Sequence, residues 1–537
     1  MKLLRMILRL KKHYGGFQMM HKNNPLIYSD FPDPDVIRVD DTYYMISTTM
    51  HMFPGGVILR SYDLLNWEIL TYVFDELNRK PASKLEDGQN IYGQGMWAPS
   101  MRYHNGRFYI CFAANDTRKT YLYQSEQITG PWEKSEIEGF YHDSSLLFDE
   151  DRIFLVYGNT QIHLIELLSD LSGPKPDGLD RVIITDKDRV SLGYEGCHIQ
   201  KINGKYYVFM VHWLADGTKR RTQACFVSDS LEGTFTGKDV LNDDQGFRNA
   251  GIAQGGLVDT PEGDWYAMLF QDHGAIGRCP VLVPVEWEND FPVFGYEGKV
   301  PLELEVRSTK QNHNYAPLTD SDSFSYEANP DGSVSLKNVW QWNHIPDNSL
   351  WTVTERPGAL RITTKETCAN VVMAKNMLTQ RMMGPFSDIT VQIDASKISE
   401  GDFAGICALQ GCYGWIAITK RDGHYYIVMT EKELDPDEGI WGPEGGDTGP
   451  GLERESVLTT DSSVELRIMA DFTDGVDEVR FLYKNENDWK QLGPIHKLYY
   501  RLDHFMGCRT GLFLFSTQNQ GGSADFINYC TQFSPAE

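Results

Sequence analysis

The chain has 537 residues, more than one hydrophobic core usually spans, so two or more domains are expected. Its formal net charge of −25 argues against nucleic-acid binding, which needs a basic footprint for phosphates, and fits action on neutral ligands. Aromatic residues make up 12% and there are 48 glycines; with recurrent strand-like alternation and little helical periodicity, this favours an all-β protein.

The first segment, MKLLRMILRLKKHYGGFQMM, is basic. Its longest apolar run, Met6-Ile7-Leu8, is too short for the core of a signal peptide. Residues 1–20 are therefore read as a loosely ordered extension, with Met19 or Met20 an alternative start. No apolar run reaches the roughly 18 residues of a spanning helix, so no membrane partner is expected.

Five similar units follow, aligned on Tyr44, Tyr109, Phe154, Tyr207 and Tyr266. In four of them a strand leads into an Asp/Asn/Glu/Gly turn and then an aromatic strand, which is the pattern of a β-hairpin. Units of 45 to 65 residues, each with about four short strands, mark the blades of a β-propeller. The residues 11 or 12 positions before the aromatics are Asp33, Trp97, Asp143, Glu195 and Gln254. In a propeller these would ring the axis: three carboxyls, an indole and an amide. The ordinary reading of any single Asp at a strand start is a turn or cap residue. Three acids at matching offsets point instead to acid–base chemistry in a sugar-sized pocket. Arg278, among apolar neighbours, needs an anionic partner; a carboxylate of that ring would serve, as would a ligand hydroxyl, and the ordinary reading is a structural salt bridge.

Residues 306–330 are polar and rich in Pro, Asp and Ser, and read as a domain linker. Beyond them, alternating segments such as ALRITT, DITVQIDASK and TGLFLFS predict a β-sandwich. The acidic, Gly-rich stretch DPDEGIWGPEGGDTGPGLERE lacks the ligand spacing of a calcium loop and reads as solvated. The nine cysteines include no CxxC pair, so zinc spacing is absent. An odd, scattered set reads as free thiols in a reducing compartment, and a cytoplasmic location is expected.

At these residues the chain resembles glycoside hydrolase family 43. The matching segments are NPLIYSDFPDPDVI, GMWAPSMRYHNGRFYI, HDSSLLFDED, YEGCHI and GRCPVLVPVEW with FPVFG. WQWNHIPDNSLWTVTERPGALRITT resembles the sandwich appended to the family's β-xylosidases and α-L-arabinofuranosidases. The resemblance implies a five-bladed propeller over residues 21–316 and a concanavalin-like sandwich over 317–537. It implies an inverting mechanism with Asp33 as general base, Glu195 as general acid and Asp143 as the carboxylate that tunes and orients the acid. His51, Trp97 and Arg278 match positions lining the sugar subsite. Gln254 stands where several relatives carry His, and Ser144 where the motif more often has Pro. No cofactor is required, although the resemblance allows a structural calcium on the propeller axis. The partner expected is an oligosaccharide, and the sandwich is expected to wall the pocket or to make a homo-oligomer contact. Two rival readings stay open: a retaining furanosidase of the fructan-hydrolase type, and a non-catalytic sugar-binding propeller.

Overall fold

A computed structural model describes residues 18–187, 191–433, 437, 439 and 449–534. Five four-stranded antiparallel sheets follow one another along the chain as the blades of a propeller. Their first strands are Asp35–Val39, Met96–His104, Ser145–Asp149, Glu195–Ile202 and Leu257–Asp259. These first strands meet one another around the centre, and the fifth blade closes onto the first. Each second strand runs back outward and places its aromatic residue opposite the middle of the first, as in Ile37↔Tyr44 and Leu147↔Phe154.

The one-residue difference in the repeat offsets has a local cause in two blades. Blades 2 and 4 carry a register irregularity at the start of the first strand, between Met96 and Pro99 and between Glu195 and His198. A bulge inserts one residue without moving the strand ends, so Trp97 and Glu195 stand 12 residues before their aromatics while Asp33 and Asp143 stand 11 before theirs. In the doubled aromatics of blades 1 and 2 the first member is the core residue: Tyr43 and Phe108 are buried, Tyr44 and Tyr109 only half so.

Below the pocket the axis is filled. Asp35 of blade 1 accepts from Met101 N and Arg102 Nη1 of blade 2, each at 2.7 Å, and meets His198 Nδ1 of blade 4 at 3.2 Å. Arg102 reaches on to Ser145 Oγ of blade 3 at 2.7 Å and to Ile199 O. Burial pushes the Asp35 carboxyl up, but Arg102 and His198 outweigh it and hold the group at about 2.

Two sheets pack face to face in the C-terminal half. One runs from Leu452–Thr459 through His424–Glu431, Gly414–Arg421, Asp402–Leu409, Arg509–Ser516 and Leu378–Arg381 to Gln341–Asn343. Its last strand is Met52–Phe53 of the propeller, with Trp342 opposite Phe53. The other sheet includes Phe386–Lys397, Ser463–Asp471 and Ser523–Ser534. Inward-facing residues such as Ile389, Val391, Ile393, Ile406, Ile416, Ile468 and Leu512 form the core between them.

Several expectations change here. Met19–Asn23 pairs in register with Glu303–Arg307, so residues 19 and 20 belong to the propeller's ordered edge and not to a loose extension; residues 1–17 lie outside the described set. The 306–330 segment is polar in composition yet tightly held. Its Tyr315 hydroxyl donates to Asp63 at 3.0 Å, His313 meets Glu68 at 2.9 Å, and Phe324 is buried in the sandwich core. Most of the acidic Gly-rich stretch lies outside the described residues, while its end enters the edge strand at Leu452. All nine cysteines are free, Cys407 and Cys412 included.

Candidate active site

Asp33, Asp143 and Gln254 precede their strands with positive φ values of 51, 46 and 70°, and Gly196 supplies φ 65° just after Glu195. Side chains at this turn point over the filled axis, which explains why equal offsets bring three carboxyls together. The close packing needs glycine at 196, where a Cβ would lie 2.5 Å from Cδ of Gln254.

The carboxyls receive different partners. Asp33 Oδ1 accepts from Arg278 Nη1 at 2.8 Å, and its Oδ2 accepts from Thr48 Oγ1 at 2.8 Å. Both charges of the Asp33–Arg278 pair are buried, so each neutralises the other where water does not. Asp143 Oδ2 accepts one backbone bond, from Gly196 N at 3.2 Å. Burial, and then the charges of Glu195 and Asp33, push its carboxyl up to about 6 against the opposing pull of His142. Glu195 Oε2 accepts from Asn159 Nδ2, at the end of a blade 3 strand. Ligand-capable atoms of His142, Asp143 and Glu195 all lie within 4.8 Å of one another.

Trp97 of blade 2 is half-buried, its ring 5.8 Å from that of His142, with its indole N–H donated to Gly93 O. Gln254 is buried beside Gly196, its backbone N–H held by Gln223 Oε1 at 2.8 Å. His51 departs from expectation. It is fully enclosed, packed against Tyr92, His344 and His504, with neither ring nitrogen hydrogen-bonded, and therefore does not line an open subsite. The sandwich covers it, and that contact is invisible in a local motif.

The sandwich also reaches the site itself. Phe505 sits with its ring 4.5 Å from the Arg278 guanidinium carbon and 5.4 Å from the Trp97 ring. Tyr500, close enough to Arg278, Arg221 and Asp33 to feel their charge, is kept protonated by burial. Asp30 fixes this loop: Oδ1 accepts from Arg278 N and Oδ2 from Gly507 N, each at 2.8 Å. Arg221 adds a second cation, paired with Asp272 and stacked 5.1 Å over Phe270. Sequence reasoning missed His142, Asn159, Thr48, Arg221, Tyr500 and Phe505. Only His142 carried a signal, standing beside Asp143 at a repeat position.

The axial residues do not fit a divalent cation. The Arg102 guanidinium already supplies the positive charge there, and both oxygens of Asp35 are engaged.

The sequence profile described as Glycosyl hydrolases family 43 matches residues 22–292, and that of the β-xylosidase C-terminal concanavalin A-like domain matches 332–530. The chain belongs to glycoside hydrolase family 43. It is 30% identical over 475 residues to a β-xylosidase of Formosa agariphila, covering 77% of this chain and 78% of that one. It is 27% identical over 358 residues to a non-reducing end α-L-arabinofuranosidase of Bacteroides ovatus, covering 63% and 64%. Among solved structures, a bifunctional GH43-CE protein of Bacteroides eggerthii superposes with a TM-score of 0.87 at 40% identity, covering 97% of this chain but only 64% of that longer one. The family 43 protein is thus a glycoside hydrolase, built as a five-bladed propeller with a concanavalin-like sandwich closing over one side of the pocket.

Proposed function

We propose that the protein is an inverting exo-glycosidase that releases β-D-xylose or α-L-arabinofuranose from the non-reducing ends of hemicellulose oligosaccharides. The observation that carries this reading is the unequal treatment of three converging carboxyls. Asp33 faces the Arg278 guanidinium and accepts from the Thr48 hydroxyl, each at 2.8 Å, partners that suit a base for water. Glu195 lies in a corner with Asp143 and His142, whose own groups are pushed up, Asp143 to about 6 and His142 to about 9. In an inverting reaction Asp33 takes a proton from water as the oxygen attacks the anomeric carbon. Glu195 gives its proton to the departing glycosidic oxygen, so no covalent sugar–enzyme bond forms. The filled axis below and the Phe505 loop at the side favour a pocket that takes a chain end. The names of the relatives support both pentoses.

The decisive experiment is hydrolysis of p-nitrophenyl β-D-xyloside and α-L-arabinofuranoside by the wild type, Asp33→Ala and Glu195→Ala. Both variants should lose at least about a hundredfold in kcat/KM, the usual scale of acid–base assistance. Full activity in either would sink the assignment. NMR of the first-formed anomer tests inversion, and a retained anomer would instead make Asp33 a nucleophile.

A further inference from the structure

His142 occupies a place in the pocket that the mechanism above leaves unused. Its Nε2 lies 3.6 Å from Asp143 Oδ2 and 3.6 Å from Glu195 Oε2. Its carbonyl accepts from Gly158 N, which fixes the backbone, and the Trp97 ring stands 5.8 Å away. The charged groups facing it are Asp143 beside it, Glu195 from blade 4 and Asp33 from blade 1. The two arginines have closer partners, Arg278 in Asp33 and Arg221 in Asp272, although their charge also reaches this corner, Arg278 at Asp143 and Arg221 at Glu195. Tyr500, from the sandwich, stays neutral. The imidazole thus faces an excess of negative charge, led by Asp143, which pushes it up to about 9.

A cation here poses a problem for a general acid. If His142 acted only as a fixed positive charge, it would favour the ionised form of Glu195 and so oppose catalysis. The conflict disappears if the two groups hold one proton between them, because a coupled pair loses its protons in steps that belong to the pair. We propose that His142 is a positioning residue for the catalytic proton, and that the general acid is the His142–Glu195 pair carrying a single proton. The proposal rests on the reading of Glu195 as the acid. As the glycosidic C–O bond breaks, its electron pair stays on the leaving oxygen, which takes the proton from Glu195. The pair is left as neutral imidazole and carboxylate. Water gives its oxygen to the anomeric carbon and a proton to Asp33. After product leaves, Asp33 releases that proton and solvent reloads the pair. The consequence is a donor that stays loaded further into the alkaline range than a lone carboxyl would.

The test is the pH dependence of kcat/KM for p-nitrophenyl xyloside and arabinofuranoside in the wild type and His142→Asn, which keeps a hydrogen-bonding amide near both carboxyls. The alkaline limb should fall by about one pH unit or more in the variant, with KM little changed. With the 2,4-dinitrophenyl glycoside, whose leaving group needs little protonation, kcat/KM at neutral pH should change by less than about threefold. An unmoved limb, or one shifted to higher pH as removal of a merely repelling cation would give, overturns the proposal. Should His142→Asn fail to fold, nitrogen-15 NMR of histidine-labelled wild type and Glu195→Gln serves instead. One imidazole should titrate above about pH 8 in the wild type and move lower in Glu195→Gln. No such imidazole, or no movement, is equally fatal. Full activity of Glu195→Ala would defeat the functional reading itself, whereas its loss alongside an unmoved His142→Asn limb would defeat only the pair.

Discussion

Asp33 and Asp143 occupy the same turn in their blades, with nearly the same φ, yet the protein gives them opposite electrostatic surroundings. Asp33 meets a guanidinium and a hydroxyl donor; Asp143 meets other carboxyls, one backbone N–H and the His142 imidazole at 3.6 Å. Repeat alignment could find both positions, because their spacing follows from blade geometry. It could not tell them apart, because Arg278 comes from 245 residues away and Thr48 points back from the neighbouring strand. The same limit explains the error at His51, where the motif is intact but another domain closes over it. Asp33–Arg278 also carries a residue-level prediction. Removing one partner of a buried ion pair leaves an uncompensated charge, which typically costs about 3–5 kcal/mol. Arg278→Gln should therefore lower unfolding stability by about that range in urea titration, besides abolishing turnover. Arg79→Gln breaks the Arg79–Glu76 pair, of similar length at 2.7 Å but on the surface, and should cost under about 1 kcal/mol. Equal losses would show that the buried pair is solvated in solution.

At the scale of elements, the blades were legible because each repeats one hairpin grammar, and the sandwich because its strands alternate. Segments that cross between domains were not. The Met52–Phe53 strand is too short to announce itself, yet it pairs with Gln341–Asn343 and joins blade 1 to the sandwich sheet. The 306–330 segment looks like a linker by composition because its anchors, Tyr315 and His313, are polar residues bonded to blade 1. Residues 499–507 gave no motif at all, since their task is to fit a surface made by distant residues. Gly507 shows how tight that fit is: a Cβ there would lie 2.1 Å from the Ile276 carbonyl oxygen and 2.6 Å from Asp30 Cβ. Neither neighbour can yield, as Ile276 leads into Arg278 and Asp30 binds both Arg278 N and Gly507 N. Gly507→Ala should push the loop off the pocket, lowering kcat/KM by about tenfold or more, on the scale of a misplaced positioning group. The far-ultraviolet circular dichroism should be unchanged. Wild-type activity in this variant would mean that the loop does not shape the pocket.

Over the whole molecule, the junction between propeller and sandwich is built around buried histidines. His51 comes from the propeller, and His344 and His504 from the sandwich. Tyr92 lies among them, stacked on His504 at 3.9 Å. Burial pulls all three imidazoles down, His504 to about 4, with neighbouring histidines adding to the effect at His51 and His344. The sign follows from which state binds protons. In the unfolded chain these histidines take a proton near pH 6.5, while in the folded protein burial makes all three resist it, His504 until about 4. Their contribution to stability is therefore complete above about 6.5 and drains away as the pH falls toward 4, by roughly 3 kcal/mol for His504 alone. Asp143 works in the other direction. Its folded carboxyl, raised to about 6, binds its proton more readily than the unfolded one and so gains stability on acidification. Asp116, Asp402 and Asp477, also pushed up by burial, act with it, while His273, pulled down to about 4 by burial, acts with the three histidines; the histidines are gathered at one contact, so the junction should give way to acid. The melting temperature should fall steeply between pH 6.5 and 4. His51→Phe, which fills a site where neither ring nitrogen is hydrogen-bonded, should flatten that fall. Differential scanning calorimetry across this range decides the matter: a His51→Phe profile parallel to the wild type would place the acid sensitivity elsewhere than in the histidine junction.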